Sequence, residues 1–399
     1  MFSKMMSSLR PSPIQMMAER TRQAISAGRN VVDMTLGEPD FPTPSHIAEA
    51  AVRAIADGQT RYTPINGSAA LREAIVRKFK RDNAIDCTMA DISVGCGGKQ
   101  VIYQAFLATL DPGDEVLIPA PYWSSYSDIV GMNGGVLKPI ETTPGTGYAL
   151  QPEALEAAIT SRTKWLVLNS PSNPSGTAYT PAQLQAFVEV IRRSSHQSFF
   201  ILVDDIYEHI LFDGIRFATL AALAPELKHR ILTINGVSKA YSMTGWRVGY
   251  GCGPRALIEA MTKIQMQVNS HTSSISQAAA AAALNGPQEE VQRRCQVFQG
   301  RRDLLLARFS EIESMHTPKP EGAFYLFPDI RAFLGRRTPD GTEIADDAAF
   351  ASYLLEEGLS VVPGSGFGMP GFMRLSYATS DSQLHLAADR LKAAVEKLA

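Results

Sequence analysis

Lys239 occupies the stretch Gly236-Val-Ser-Lys239-Ala-Tyr-Ser-Met-Thr-Gly-Trp-Arg247, entered by the strand-like run Arg230-Ile-Leu-Thr-Ile-Asn235 and left by Arg247-Val-Gly-Tyr-Gly-Cys252. This places the lysine on a short loop between two buried strands. Most lysines stay solvated, because burying an ammonium without a partner is costly. A lysine held on an apolar shelf instead loses its proton near neutral pH and becomes an amine nucleophile. Arg247 keeps its charge at any physiological pH and suits a phosphate. An amine beside a fixed cation is what a phosphorylated aldehyde cofactor requires.

Four other strand ends carry residues that chemistry can use. Gly97-Gly98 follows Ile92-Ser-Val-Gly-Cys96, and Tyr122-Trp123 follows Glu115-Val-Leu-Ile-Pro119. Asn173 lies in Ser170-Pro-Ser-Asn-Pro-Ser-Gly176, just after Trp165-Leu-Val-Leu-Asn169, and Asp204 follows Phe199-Phe-Ile-Leu-Val203. A pyridine aldehyde phosphate could use the whole set. Gly97 and Gly98 would offer helix N-terminal amides to the phosphate, and Asp204 would raise the ring nitrogen's pKa by Coulomb attraction. Asn173 and the Tyr207 hydroxyl would face the ring oxygen, and Trp123 would stack on the ring. Each has a duller role available: a helix N-cap for Asp204, core for Trp123, a turn for Asn173. Spacing alone does not separate Asp204 from Asp205. The ordered set carries the weight.

The elements that would position these residues form an α/β alternation from about residue 91, implying a largely parallel sheet covered on both faces. In such sheets ligands bind beyond the carboxyl ends of the strands. Upstream, helices are expected over 14–28, 45–57 and 68–81. A strand over 31–37 runs into the proline-rich Gly37-Glu-Pro-Asp-Phe-Pro-Thr-Pro44, with Ser45 as helix cap. Downstream, a helix over 288–310 leads to a second unit with strands over 322–327, 359–362 and 373–377 and helices over 346–357 and 382–397. The expected division is an N-terminal arm and small-domain segment over 1–45, a large domain over 46–287 and a small domain over 288–399.

Composition narrows the function classes. The chain has 399 residues, 45% hydrophobic and 20% charged, with a formal net charge of −2. That is ordinary globular composition, and no basic field argues for nucleic acid or an anionic membrane. Cys87, Cys96, Cys252 and Cys295 show no Cys-x-x-Cys spacing, so buried free thiols are expected, without a metal site. No apolar h-region opens the chain and no apolar run approaches the ~20 residues of a membrane span, which points to a cytoplasmic location. No Gly-x-Gly-x-x-Gly follows the first strand of a βαβ unit, which argues against a dehydrogenase. His209 and His271 have no identifiable partner and are read as structural.

From Gly37-Glu-Pro-Asp-Phe to Arg374-Leu-Ser-Tyr-Ala-Thr-Ser, the chain resembles the fold type I pyridoxal-phosphate enzymes of the class I/II aminotransferase family. It is most similar to the bacterial aspartate aminotransferase subgroup, through Gly97-Gly-Lys-Gln, Ser170-Pro-x-Asn-Pro-x-Gly176 and Met243-Thr-Gly-Trp-Arg247. The resemblance implies Lys239 as the Schiff-base lysine, Asp204 as partner of the pyridine nitrogen, Asn173 and Tyr207 at the ring oxygen, and Trp123 on the ring. It implies that Arg374 grips the substrate α-carboxylate, with Asn173 and the Gly37 amide. Tyr62 resembles a tyrosine that reaches the neighbouring subunit's phosphate, so a homodimer with shared active sites is implied. A serine common three residues before the lysine is here Gly236, leaving the phosphate to the backbone at 97–99, Ser238 or Ser242, and Arg247.

Ping-pong transfer between an L-amino acid and a 2-oxo acid is the implied reaction. Lys99 lies in the first turn of its helix, where a cation opposes the macrodipole unless an anion is near. In the similar subgroup it contacts the substrate's distal carboxylate, so an aspartate-like donor and 2-oxoglutarate are expected. The alternatives are an aromatic amino acid or prephenate aminotransferase, or a C–S lyase or cyclopropane-forming synthase on the same fold. A transcription-regulator sensor domain is disfavoured, because only about forty residues precede the first large-domain helix.

Overall fold

Strand β1 (Val32–Asp33) is shorter than the sequence suggests, because the Asp33 carboxylate turns back to accept from the Thr35 amide at 2.9 Å and hydroxyl at 2.6 Å. The computed structural model describes Phe2, Met5, Met6, Leu9 and residues 11–399. The main sheet comprises β2 (Ile92–Gly95), β3 (Glu115–Pro119), β4 (Val136–Ile140), β5 (Thr163–Asn169), β6 (Phe200–Asp204), β7 (Ile231–Gly236) and β8 (Gly249–Cys252). Their order across the sheet is β2-β8-β7-β6-β5-β3-β4, and only β8 runs antiparallel to its neighbours.

The central strands are apolar along their length because helices cover both faces. One face packs Val116, Ile118, Trp165, Leu202 and Ile234 against Val101, Ile102 and Phe106 of the helix Gly98–Leu107. The other packs Leu166, Leu168, Ile201 and Val203 against Leu184, Phe187 and Ile191 of the helix Pro181–Arg193. Strand β4 has no such apolar run, since it is an edge strand with exposed Val136, Lys138 and Pro139. Polarity and a proline are how edges are normally protected, and they hid this strand from the sequence reading.

Another core gathers Met17, Ala24, Val32 and Met34 with Phe298, Leu305, Phe350, Leu354 and Leu391. It unites the N-terminal helix Pro13–Ser26 with the long helix Glu289–Phe309 and the chain beyond it. Here β9 (Tyr325–Leu326), β10 (Leu359–Ser360), β11 (Val362–Pro363) and β12 (Met373–Ser376) are short. β10 pairs with β1, whereas β11 and β9 flank β12, so the expected single strand over 359–362 breaks between two sheets at Val361. Ser45 is not a cap: Pro44 holds that position and no side chain bonds the first turn. Ser68 does cap its helix, Ala69–Asn83, accepting from the Leu71 amide at 3.3 Å. All four cysteines are free, but only Cys252 is buried, the other three being half-buried. Among the described residues no helix is long and apolar enough to cross a membrane.

A buried ion pair ties the segment after β6 to the helix Ala69–Asn83. Lys78, 1% exposed, donates to Glu208 and, at 2.5 Å, to the Asn83 side-chain oxygen. Asn83 Nδ2 donates to the second Glu208 oxygen at 2.5 Å. His209 has acidic neighbours, its Nε2 lying 3.2 Å from Glu208 and 3.7 Å from Asp82. Burial works to raise the Glu208 carboxyl, but Lys78 beside it prevails and holds it well below the usual carboxylate range. Removing one partner of a buried pair strands the other charge. Lys78→Met is therefore expected to cost about 3–5 kcal/mol in denaturant unfolding. Stability equal to the parent's would contradict this account.

Candidate active site

The β7–β8 connection is a loop over 237–248 rather than a helical crossover, because β8 is antiparallel. Lys239 and Arg247 therefore both lie at the carboxyl end of β7, beside the ends of β5 and β6. They line a cavity of about 350 Å³ with Gly37, Gly98, Lys99, Trp123, Asn173, Asp204, Tyr207, Ser238 and Arg374. Ten residues singled out from the sequence by role thus share one cavity, along with Ser238.

Lys239 is half-buried, and its Nζ donates to the Gly37 carbonyl at 2.5 Å. That carbonyl is a different group from the Gly37 amide expected at the substrate carboxylate. Desolvation first, then the Arg374 charge, lowers the amine from its ordinary value to about 8. Near neutral pH a useful fraction is the free base. The nearby carboxylates of Glu38 and Asp204 oppose the fall.

Asp204 ends β6, buried, and accepts from the Tyr126 hydroxyl at 2.7 Å and the Ile206 amide at 3.2 Å. Burial raises its carboxyl pKa, with those two bonds and Lys239 opposing. Its neighbour Asp205 is fully buried and does not line the cavity, which resolves the ambiguity between them. Asn169 fixes the local backbone: its amide donates to the Asp204 carbonyl at 2.8 Å, and its oxygen accepts from the Asn173 amide at 2.9 Å.

The anion cradle is built from close approaches. Gly97, at φ +81°, has no room for a side chain, because a Cβ would lie 2.4 Å from Arg247 Nη2. A Cβ on Gly249 would lie 2.0 Å from the Gly98 nitrogen, so the first turn of helix Gly98–Leu107 rests directly on β8. Arg247 is positioned by the Thr244 carbonyl at 2.8 Å and the Cys96 carbonyl at 3.3 Å. Helix amides, this guanidinium and Ser238 thus converge. Ser242 does not line the cavity, and its hydroxyl accepts from Arg294 at 2.9 Å.

Arg374 on β12 is 1% exposed, donating to Asn173 Oδ1 at 3.1 Å and to the Thr35 carbonyl. Its guanidinium stacks 4.7 Å from the Tyr325 ring, and its Nε is buried without a partner. Among the described residues no side-chain carboxylate pairs with it, so an anionic ligand is what this arginine lacks. Tyr207 donates to, or accepts from, Tyr325 at 2.7 Å. Lys99 Nζ lies 4.8 Å over the Trp123 ring, and desolvation, then Arg247, lowers its pKa.

Tyr62 lies outside this cavity, 90% exposed, its ring edge-on to His271 at 5.6 Å. His271 also has partners, the Thr63 amide at 3.2 Å and the Thr272 carbonyl at 2.7 Å. The sequence reading missed Tyr126, Tyr325, Asn169, Glu38 and Ile14 among the lining residues. Tyr126 sits one helical turn beyond Trp123, a spacing that could have been noticed. Tyr325 reaches the site only through the β9–β12 pairing, which no local pattern signals.

Comparison with known proteins gives the family. The family model described as aminotransferase class I and II matches residues 29–391. The aspartate aminotransferase of Rhizobium meliloti (strain 1021) is 49% identical over 98% of this chain and 95% of its own. The aspartate/prephenate aminotransferase of Cereibacter sphaeroides is 50% identical over 96% of each. The crystal structure of the Rhizobium meliloti aspartate aminotransferase superposes with a TM-score of 0.96 at 48% identity, covering 100% of both chains. The Thermus thermophilus aspartate aminotransferase with maleate gives 0.91 at 38%, covering 99% of both. Matched along nearly its whole length in sequence and in fold, the chain belongs to the class I and II aminotransferases.

Proposed function

We propose that the chain is a pyridoxal 5'-phosphate-dependent aminotransferase moving the amino group of an aspartate-like L-amino acid to a 2-oxo acid such as 2-oxoglutarate. The observation that carries this reading is the pairing of a desolvated amine, Lys239, with a buried carboxylate, Asp204, in one cavity. The residues present fit the cofactor: the Gly97 position leaves only enough room for glycine beside Arg247, and Asp204 has no directly paired cation. Gly97, Gly98, Ser238 and Arg247 would hold its phosphate, Trp123 its ring face, Asn173 and Tyr207 its ring oxygen, and Asp204 its ring nitrogen. When bound, the cofactor supplies an electrophilic aldehyde and an electron sink.

The protein's own groups do the rest. Arg374 takes the substrate α-carboxylate through a planar fork whose Nε is free. The Lys239 amine accepts the Cα proton, a role suited to a base titrating near the working pH. Lys99 offers a cation to a distal carboxylate, which agrees with the relatives being named for aspartate and with maleate, a dicarboxylate, in the Thermus neighbour. Ile14, Leu36 and Ile102 add an apolar wall that would also receive a ring-bearing substrate, and one relative is named for prephenate as well as aspartate. The lyase and synthase alternatives draw no support from the relatives described. Tyr62 is exposed, as a residue reaching into a second copy's site would be, and the working unit is taken to be a homodimer.

Two experiments test the reading. Mixing cofactor-loaded protein with aspartate is expected to convert the bound cofactor to its amine form and release a 2-oxo acid. Lys239→Ala is expected to slow that half-reaction at least about 10²–10⁴-fold, and an unimpaired variant would refute the assignment. Lys99→Ala is expected to raise KM for aspartate about tenfold, a loss of about 1.4 kcal/mol, with under about twofold change for a neutral amino acid. Equal effects on both would remove Lys99 from substrate selection.

A further inference from the structure

Beside the amine of Lys239 lies a carboxylate with no role in the scheme above. Glu38 lines the cavity and follows Gly37, whose carbonyl accepts from Lys239 Nζ. It makes no direct ion pair with the lysine. Its Oε1 instead accepts from the Thr244 hydroxyl, across the mouth of the site.

The segment carrying Glu38 is firmly anchored. Asp40 takes a bidentate pair from Arg301 at 2.7 and 2.8 Å, and the Pro42 carbonyl accepts from Arg294 at 2.8 Å. Thr43 donates to the Ser242 carbonyl at 2.8 Å and accepts from the Trp246 indole at 3.0 Å. These bonds tie residues 40–43 to the long helix and to the lysine loop itself. The carboxylate, exposed at the mouth of the site, is therefore held in place by its backbone anchors and by Thr244.

We propose that Glu38 is a positioning residue whose anchored negative charge sets the proton affinity of the Lys239 amine. The charged groups facing that amine are Arg374 from β12, Arg247 from the turn before β8, Asp204 from the end of β6, and Glu38. The neutral rings of Tyr207 and Phe324 complete its surroundings at 5.8 and 6.0 Å. Two cations and two anions thus nearly balance, and desolvation tips the amine toward its free base. A bound cofactor would occupy Asp204 and Arg247, and a bound substrate would neutralise Arg374. Glu38 would then be the remaining uncompensated charge, keeping the amine basic enough to take a proton. This inference rests on the cofactor reading and adds to it a residue that touches neither cofactor nor substrate.

The test is a spectrophotometric pH titration of the cofactor-loaded full-length protein, following the visible absorbance of the lysine-bound cofactor. Glu38→Gln keeps the bond to Thr244 but removes the charge, so the midpoint is expected to fall by about half a pH unit or more. Glu38→Asp, which keeps the charge, is expected to titrate near the parent, and Thr244→Val, which frees the carboxylate, between parent and Glu38→Gln. A Glu38→Gln midpoint equal to or above the parent's would overturn the proposal. If Glu38→Gln does not retain cofactor, the pH dependence of Lys239 acylation in the cofactor-free chain, read by peptide mass mapping, makes the same comparison. A lowered midpoint there again supports the role of Glu38, and an equal or higher one overturns it. Failure of the parent itself to develop the absorbance would sink the cofactor reading instead, and the acylation midpoints would still decide the role of Glu38.

Discussion

The site depends on keeping one amine out of water without leaving its charge stranded. An isolated ammonium in an apolar cavity would be too costly, and a fully paired one would never release its proton. Lys239 sits between these limits, facing arginines and carboxylates in equal number and bonded to a backbone carbonyl. Each of the neighbours that sets this balance comes from a different part of the chain. The sheet brings Asp204 and the lysine loop together, β12 brings Arg374, and the proline-rich segment brings Glu38.

That arrangement draws on two separate sets of strands. Arg374, Tyr325 and Thr35 belong to the smaller set of short strands or to the segments beside them, whereas Lys239, Asp204 and Arg247 belong to the main sheet. The cavity lies where they meet, and Tyr207 joins them directly through its hydroxyl contact with Tyr325. The buried Lys78–Glu208 pair acts from behind, fixing the short segment that carries both Asp204 and Tyr207. Lys78 also supplies the cation within the one Asp82–Glu208–His209 grouping of metal-ligand type found among the described residues.

Much of this was legible in the residues alone. Apolar runs ending in Gly97-Gly98, Trp123, Asn173, Asp204 and Lys239 located the strand ends, because a two-sided sheet leaves no ambiguity of face. The short strands were less legible. The run from Val31 to Gly37 contains only two paired residues, since a side-chain bond from Asp33 ends the strand in a way hydropathy does not register. Leu359 to Val362 reads as one strand but serves two sheets. Tyr325 was invisible as a site residue because only tertiary pairing brings it under Arg374. The choice between Ser238 and Ser242 needed Arg294, a partner about fifty residues downstream in the sequence.

The single reversed strand has a mechanical consequence. Because β8 returns alongside β7 after the loop over 237–248, Lys239 and Arg247 are carried on one hairpin, and the helix that opens at Gly98 is seated against its returning arm. The amine and the guanidinium therefore share a chassis. Lengthening or shortening that hairpin would shift both anchors at once, whereas the surrounding loops are free to change what enters without disturbing the spacing between them.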